Sequence, residues 1–219
     1  MDKSMYSLML MDSLVEKVDQ LAYEKGTNRS NLINQILAEY LSETTPEMRM
    51  SEIFDRVAGA FQKSAVFQIT EMPKDAMLSI KSSLRYKYRP TMRYAVELYR
   101  QGGDCFGELR VVFRTKSPEL LRDLHWFFSL WVALEKKYLT PVLGENSIRY
   151  VLEDGRFRRT LLLPEKDSQR TSEALGTAIT DYIRMFDDCL KFAVGEQRPS
   201  NREVEERYRA YLKKGITLV

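Results

Sequence analysis

The sequence predicts an α+β protein, in which a small strand-helix-helix module precedes a larger antiparallel sheet with helices on one face. Three patterns predict it. Side chains alternate between two faces over residues 5–10, apolar residues recur at helical spacing in several long segments, and alternating strands flank glycine-containing turns further along the chain. We expect domains at residues 1–45 and 67–219, joined by a linking helix over residues 46–66.

The first module begins with a short strand in which Tyr6, Leu8 and Leu10 share one face. A helix follows and ends at Gly26, because glycine accepts the left-handed backbone that closes a helix. Asn28 then caps a second helix, which runs to residue 41. The apolar positions that we expect to be buried lie on both helices: Leu14, Val18, Leu21, Ala22, Leu32, Ile33, Ile36, Leu37 and Tyr40.

One strand and two helices in about 40 residues are too small to close a hydrophobic core alone. The strand would also leave an open edge of unpaired backbone groups. Both problems disappear when two chains pair their strands and interlock their helices. We therefore expect a homodimer, or a higher even oligomer, built on residues 1–45.

This pattern resembles the ribbon-helix-helix family of DNA-binding proteins, the Arc/MetJ type. The resemblance covers residues 5–41 without a gap. The matching residues are the alternating strand Tyr6-Ser7-Leu8-Met9-Leu10, Asp12-Ser13-Leu14 at the start of helix one, Leu21-Ala22 within it, the turn Gly26-Thr27-Asn28, Arg29-Ser30 at the start of helix two, and Leu32-Ile33 through Tyr40-Leu41.

The resemblance implies a two-stranded ribbon that enters the DNA major groove, with base contacts from its solvent-facing side chains. Here the base-reading candidates are Met5, Ser7 and Met9. The start of helix two would hold a phosphate, and the candidates there are Asn28, Arg29 and Ser30.

Two features depart from the family pattern. Methionine offers base edges only apolar contact, for example with a thymine methyl group. Residues 1–45 hold four basic and seven acidic residues, a net charge of −3, whereas residues 46–219 carry +6. The ribbon then reads DNA weakly, receives help from basic residues elsewhere, or serves only for dimerisation.

The larger domain is expected to follow the order β-β-β-α-β-β-α-α. Its strongest single signal is the Asp154-Gly155 turn of the second hairpin. The expected strands lie near residues 76–89, 92–100, 106–115, 148–153 and 156–163, and the expected helices near 118–138, 172–194 and 200–215.

The stretch from Lys81 to Arg93 contains five basic residues and no acidic one. In a strand, Lys81, Arg85, Lys87 and Arg89 share one face. This face would bind an anion such as a DNA backbone, RNA or a phosphorylated effector, or it would be an ordinary solvated face of the sheet.

Composition excludes several classes of protein. The 44% hydrophobic content excludes a disordered chain, and no apolar run is long enough to span a membrane. A signal peptide is not expected, and Cys105 and Cys189 are expected to be reduced thiols in a cytoplasmic protein. The single histidine, His125, lies on a polar helix face and is expected to be an ordinary surface residue, which excludes histidine-rich zinc or nickel sites. Carboxylates could still bind a metal, but no third ligand joins Asp181 and Asp188 and no catalytic motif is found, so we expect no catalytic residue, no metal site and no cofactor.

Three functions are compatible with these patterns. The first is a dimeric, sequence-specific DNA-binding transcriptional regulator, such as a repressor, whose larger domain senses an effector, binds a protein partner or builds higher oligomers. The second is an antitoxin or plasmid-maintenance protein whose ribbon mainly dimerises and whose larger domain binds a protein or an anionic ligand. The third is an enzyme or nucleotide-binding domain fused to a dimerising module.

Overall fold

A computed structural model describes residues 5–74, 76–84, 90–100, 103–144, 147–195, 197–216 and 219, without the side chains of residues 71–74. The chain divides into two compact units, Met1–Arg49 and Met50–Val219. The described part combines six α-helices with one six-stranded antiparallel sheet, which confirms the predicted α+β class.

The first unit contains two helices joined by a tight turn. Helix α1 spans Asp12–Glu24 and helix α2 spans Arg29–Tyr40. Between them Gly26 has a φ of +63°, a left-handed conformation that glycine adopts without strain, and the amide of Thr27 donates to the carbonyl of Ala22 over 2.9 Å. Residues 5–11 lie outside helix and strand in this single chain, so the strand predicted there is not formed.

The second unit places four helices and six strands in the order α3, β1–β4, α4, β5, β6, α5, α6. A short 3₁₀ turn, Asp167–Gln169, precedes α5. The helices are α3 Pro46–Gln62, which begins in the first unit, α4 Pro118–Leu143, α5 Ser172–Ala193 and α6 Asn201–Leu212. The strands are β1 Phe67–Lys74, β2 Met77–Ser83, β3 Thr91–Leu98, β4 Cys105–Phe113, β5 Tyr150–Glu153 and β6 Arg156–Leu162, and the sheet order is β1-β2-β3-β4-β6-β5.

Strand β1 was not predicted, and its irregularity explains why. Its pairing with β2 shifts register twice, between Ile69 and Glu71 and between Glu71 and Lys74. It also contains Pro73, which cannot donate a ladder hydrogen bond and is tolerated in edge strands. A period-two pattern does not survive two register shifts, so the sequence of this strand reads as irregular.

The core lies between the helices and one face of the sheet. Inward-facing Tyr94, Val111 and Phe157 are buried and lie directly opposite one another on β3, β4 and β6. Phe186 of α5 contacts the rings of both Tyr94 and Phe157, with centroids 6.2 and 5.1 Å away. Phe128 of α4 packs on Phe157 at 5.4 Å. These contacts bring α4 and α5 onto the same face of the sheet.

A fully buried ion pair lies within this apolar core. Glu135 of α4 and Arg159 of β6 have no exposed side-chain surface, and the Arg159 Nε lies 3.3 Å from Glu135 Oε2. The Arg159 guanidinium also donates to the carbonyl of Val219 over 2.6 Å and lies 4.4 Å from the centre of the Tyr182 ring. Burial raises the pKa of the Glu135 carboxyl, and the neighbouring Arg159 charge opposes this effect. Each charge is therefore tolerated inside the core because of the other.

We predict that Arg159→Met destabilises the fold by about 3–5 kcal/mol, because it leaves the buried carboxylate of Glu135 without a counter-charge. The double variant Glu135→Leu/Arg159→Met should recover most of this loss, since it removes both charges. Urea unfolding of the variants measures the effect, with the exposed neighbour Arg156→Met as control. Equal costs for Arg159→Met and Arg156→Met would contradict the role of the pair.

Helices α5 and α6 are joined by a second ion pair at the surface. Arg207 donates through two nitrogens to the two carboxylate oxygens of Asp188, both over 2.7 Å. The Arg207 side chain holds the pKa of Asp188 below its ordinary value of 3.8. A lowered folded-state pKa stabilises the fold above the unfolded pKa, and this contribution is lost as the pH falls through the folded pKa.

We predict that Asp188→Asn costs about 0.5–1 kcal/mol at neutral pH, in the range of partly exposed ion pairs. The difference from the parent chain should shrink as the pH falls below 3.8 and vanish below the lower folded-state pKa, because first the unfolded and then the folded chain takes up a proton on this carboxyl. Thermal unfolding from neutral pH to pH 2 checks this prediction. Asp181→Asn, in a looser 4.0 Å pair on the same helix, should show a smaller effect.

Candidate nucleic-acid interface

The base-reading candidates Met5, Ser7 and Met9 lie in an exposed segment before α1. Met5 and Met9 are essentially fully exposed, at 98% and 101% of the reference surface, and Ser7 is exposed too. A β-ribbon forms only when a strand has a hydrogen-bonded neighbour, which a single chain does not supply here. The segment therefore presents its side chains to solvent without the backbone pairing that the resemblance implies.

The phosphate candidates Asn28, Arg29 and Ser30 lie together at the start of α2. The Asn28 side chain caps the helix by accepting from the amide of Asn31 over 2.9 Å. The first amides of a helix have no partner within it, and the cap uses one of them. The amides of Arg29 and Ser30 make no bond within the helix and lie at the positive end of the helix dipole, where an anion would be favoured.

Arg29 has an acidic partner that sequence analysis missed. Its guanidinium donates through two nitrogens to the Asp19 carboxylate, with Nε 2.6 Å from Oδ1. The Arg29 side chain lowers the pKa of Asp19. The ten-residue separation corresponds to no helical neighbour, so only the turn between the two helices brings the residues together. Asp19 therefore competes with any phosphate for Arg29.

The second basic site lies on the outward face of the sheet in the second unit. Lys81 is directly opposite Arg93, and Arg110 is directly opposite Arg158. Arg156 lies on the same face, in the row of Lys81 and Arg93. The other predicted members of this face, Arg85, Lys87 and Arg89, lie outside the described residues.

Acidic residues occupy the other end of the same face. Glu97 and Glu108 are directly opposite each other, and Arg110 bridges them. The phenol of Tyr99 also donates to Glu108 over 3.0 Å, and burial and that carboxylate raise the pKa of Tyr99 to about 12. The face is therefore divided along the strands into an acidic end and a basic end.

Like-charged side chains directly opposite each other destabilise a sheet by about 0.2–1 kcal/mol per pair. The two acidic residues avoid this repulsion through Arg110. In the part of the chain that is described, Lys81 and Arg158 make no ion pair. Lys81 and Arg158 are therefore the two cations of this face that the described ion pairs leave unengaged.

A buried polar network on the other side of the sheet has a composition found in some active sites. Lys191 of α5 donates to both Asp187 and Ser82 over 2.7 Å, and Tyr94 donates to Asp187 over 2.9 Å. Ser82 is only 1% exposed, which denies a substrate access to its hydroxyl. The network satisfies buried polar groups and joins α5 to β2 and β3.

One cavity of about 290 Å³ lies beside the C-terminal part of α4. Its walls include Lys136, Thr140, Ser147 and Tyr150. The volume is near the lower end of the range for small-molecule sites. Among the described residues there is no cluster of three potential metal ligands. No helix within the described ranges is long and apolar enough to cross a membrane.

The two basic sites therefore differ in their construction. At the start of α2, the first helix amides lie beside one arginine whose side chain is paired with Asp19. On the sheet, cations extend over several strands. Comparisons with protein-family models, with curated proteins and with solved structures found no match to this chain.

Proposed function

We propose that the chain is a dimeric, sequence-specific DNA-binding protein, a transcriptional regulator whose paired N-terminal segments form a two-stranded ribbon in the major groove. The observation that carries this proposal is the uncovered apolar surface of the first unit. It coincides with the positions at which the ribbon-helix-helix resemblance expects two chains to meet.

The first unit buries few of its own apolar residues. Its core consists of Val18, Ala22 and Leu32, with Ile33 packed against them. Five helix positions that the sequence predicts to be buried are exposed in the single chain: Leu14, Leu21, Ile36, Leu37 and Tyr40. Tyr6, Leu8 and Leu10, one face of the predicted strand, are exposed as well.

The second unit does not share this exposure. Its exposed large hydrophobic side chains, among the described residues, are Val66, Met77, Val142 and Val151. A contiguous apolar surface rarely stays open to water in a soluble protein. The apolar surface that a partner would have to cover therefore lies on the first unit.

A second copy of the first unit, related by a two-fold axis, would cover this apolar surface. Antiparallel pairing of residues 5–10 with the same residues of the second chain satisfies the backbone groups of both. It would place Tyr6, Leu8 and Leu10 against the helices, and Met5, Ser7 and Met9 towards the groove. Apolar Met5 and Met9 would favour thymine methyl groups over polar base edges.

The start of α2 supplies the phosphate contact in this proposal. The amides of Arg29 and Ser30 would bind a phosphate oxygen, and Arg29 would exchange the carboxylate of Asp19 for the phosphate. Asp19 is thus expected to weaken DNA binding.

The second unit is the regulatory part in this proposal. Its own apolar core makes it a self-contained domain, and the cavity beside α4 provides space for a small effector.

We predict that Leu37→Glu converts the dimer to monomer, because it places a charge on the surface that two first units would bury. Loss of one buried leucine and burial of a charge should raise the dimer dissociation constant at least about 100-fold. Light scattering after gel filtration measures the mass. Val142→Glu makes the same change at an exposed site of the second unit and should leave the mass unchanged. Equal masses for all three proteins would rule out this interface.

We predict opposite effects for the two members of the Arg29–Asp19 pair. Arg29→Ala should weaken binding to every DNA sequence and reduce the slope of log affinity against log salt by about 1 per contact. Asp19→Asn should strengthen binding, because it frees Arg29. Fluorescence anisotropy with the promoter region of the gene itself, at two salt concentrations, measures both.

Glu16→Gln is the matched control for Asp19→Asn, because it removes the same charge from an exposed position of α1. It should produce a smaller increase in affinity, arising from net charge alone. Identical gains from the two variants would show that Asp19 acts only through net charge. An unchanged salt slope in Arg29→Ala would remove the phosphate contact.

A further inference from the structure

The outward face of the sheet in the second unit orders its charges in rows that cross the strands. The first row contains Lys81, Arg93, Arg156 and Glu153, and the next contains Arg110 and Arg158. A third row contains Glu97 and Glu108. We call the first two the basic rows.

The basic rows include two cations, Lys81 and Arg158, that the described ion pairs do not engage. Arg158 is exposed and Lys81 is half-buried, and within the described residues neither makes an ion pair. The Arg156–Glu153 pair is loose, at 3.5 Å between two largely exposed side chains, which leaves Arg156 able to change partner. In contrast, Arg110 is held by two carboxylates. The available positive charge is therefore concentrated at the end of the face away from Glu97 and Glu108.

The spacing of these cations suits an extended polyanion. Neighbouring strands lie about 4.8 Å apart, so the row from Lys81 on β2 to Arg156 on β6 spans about 14 Å. A nucleic-acid backbone presents phosphates continuously over such a distance. A single small anion would need convergent donors, whereas these side chains extend from different strands.

The composition of this face indicates which form of nucleic acid it would bind. Proteins that hold single strands stack the bases on aromatic side chains. The described positions of the two basic rows carry no aromatic residue; they hold Gln68, Ser79, Ala95, Val112, Val151 and charged residues. The aromatic ring on this face, that of Tyr99, lies at the acidic end beside Glu108. Charge without a stacking surface fits contact with the outside of a duplex.

We infer that the basic rows bind the sugar-phosphate backbone of duplex DNA without reading its sequence. This surface is separate from the ribbon and the start of α2, so it stands whether or not the proposed function holds. The carboxylates of Glu97 and Glu108 repel phosphate and limit the contact to the basic end.

The test uses the full chain with Arg29→Ala in every protein, so that the proposed contact at α2 is absent throughout. Lys81→Gln/Arg158→Gln removes one lysine and one arginine from the basic rows. Arg209→Gln/Lys213→Gln removes the same charges from exposed positions at the end of α6, which belongs to the helical layer. Affinity for a duplex of arbitrary sequence is measured by anisotropy between about 50 and 200 mM salt, with the matching single strand as second probe.

The double variant in the basic rows should reduce the slope of log affinity against log salt by about 2, as expected for two lost phosphate contacts. The α6 variant should leave the slope unchanged, and the duplex should bind more tightly than the single strand. Thermal unfolding of the basic-row variant should occur at about the same temperature as that of the α6 variant, because no described ion pair engages Lys81 or Arg158.

Three results would overturn the inference: equal slopes for the two double variants, absence of salt-dependent duplex binding, or preference for the single strand. The ribbon proposal is tested separately by restoring Arg29. If the Arg29→Ala substitution leaves DNA binding unchanged while the basic-row substitutions weaken it, the phosphate contact at α2 is refuted and the sheet surface is retained.

Discussion

Apolar side chains must be removed from water, and the two units of this chain meet that requirement differently. The second unit covers one face of its sheet with its own helices, and Phe186 lies between rings from the sheet and from α4. The first unit has two helices over three buried side chains and leaves most of its apolar surface open. The same constraint therefore produces a self-sufficient core in one unit and a largely uncovered apolar surface in the other.

Covering only one face of a sheet gives neighbouring residues opposite environments. Arg158 and Arg159 follow each other on β6, but Arg158 extends to solvent among other cations and Arg159 is fully buried beside Glu135. Burial of a guanidinium is tolerated because a carboxylate, a backbone carbonyl and an aromatic ring surround it. Because side chains alternate between the two faces of a strand, a buried, paired charge and a solvent-exposed charge are neighbours in the sequence.

Sequence patterns predicted the regular elements and missed what depends on tertiary contact. The long helix α4 and the hairpin at Asp154-Gly155 follow from apolar spacing and turn chemistry, and both form. Strand β1 was missed because two register shifts and Pro73 hide its alternation. The partners of the charged residues were missed too: Asp19 reaches Arg29 through a turn, and Glu135 reaches Arg159 from a helix to a strand. Such pairs have no fixed sequence separation, so a period cannot reveal them.

The distribution of charge links the two proposed DNA surfaces. Residues 1–45 carry −3, and Asp19 occupies the one arginine at the start of α2, so the first unit supplies little of the phosphate attraction that dominates DNA affinity. The second unit holds its positive charge on one end of an open sheet face, where no described ion pair engages Lys81 or Arg158. In this proposal, the sheet would supply most of the affinity for DNA, and Met5 and Met9 would read bases through weak apolar contacts. Weak contacts are enough for this, because discrimination between sequences depends on differences in binding free energy and not on the total binding free energy. In the proposed function, the acidic balance of the first unit would reduce binding of the ribbon to unrelated DNA and so raise specificity at the expense of affinity.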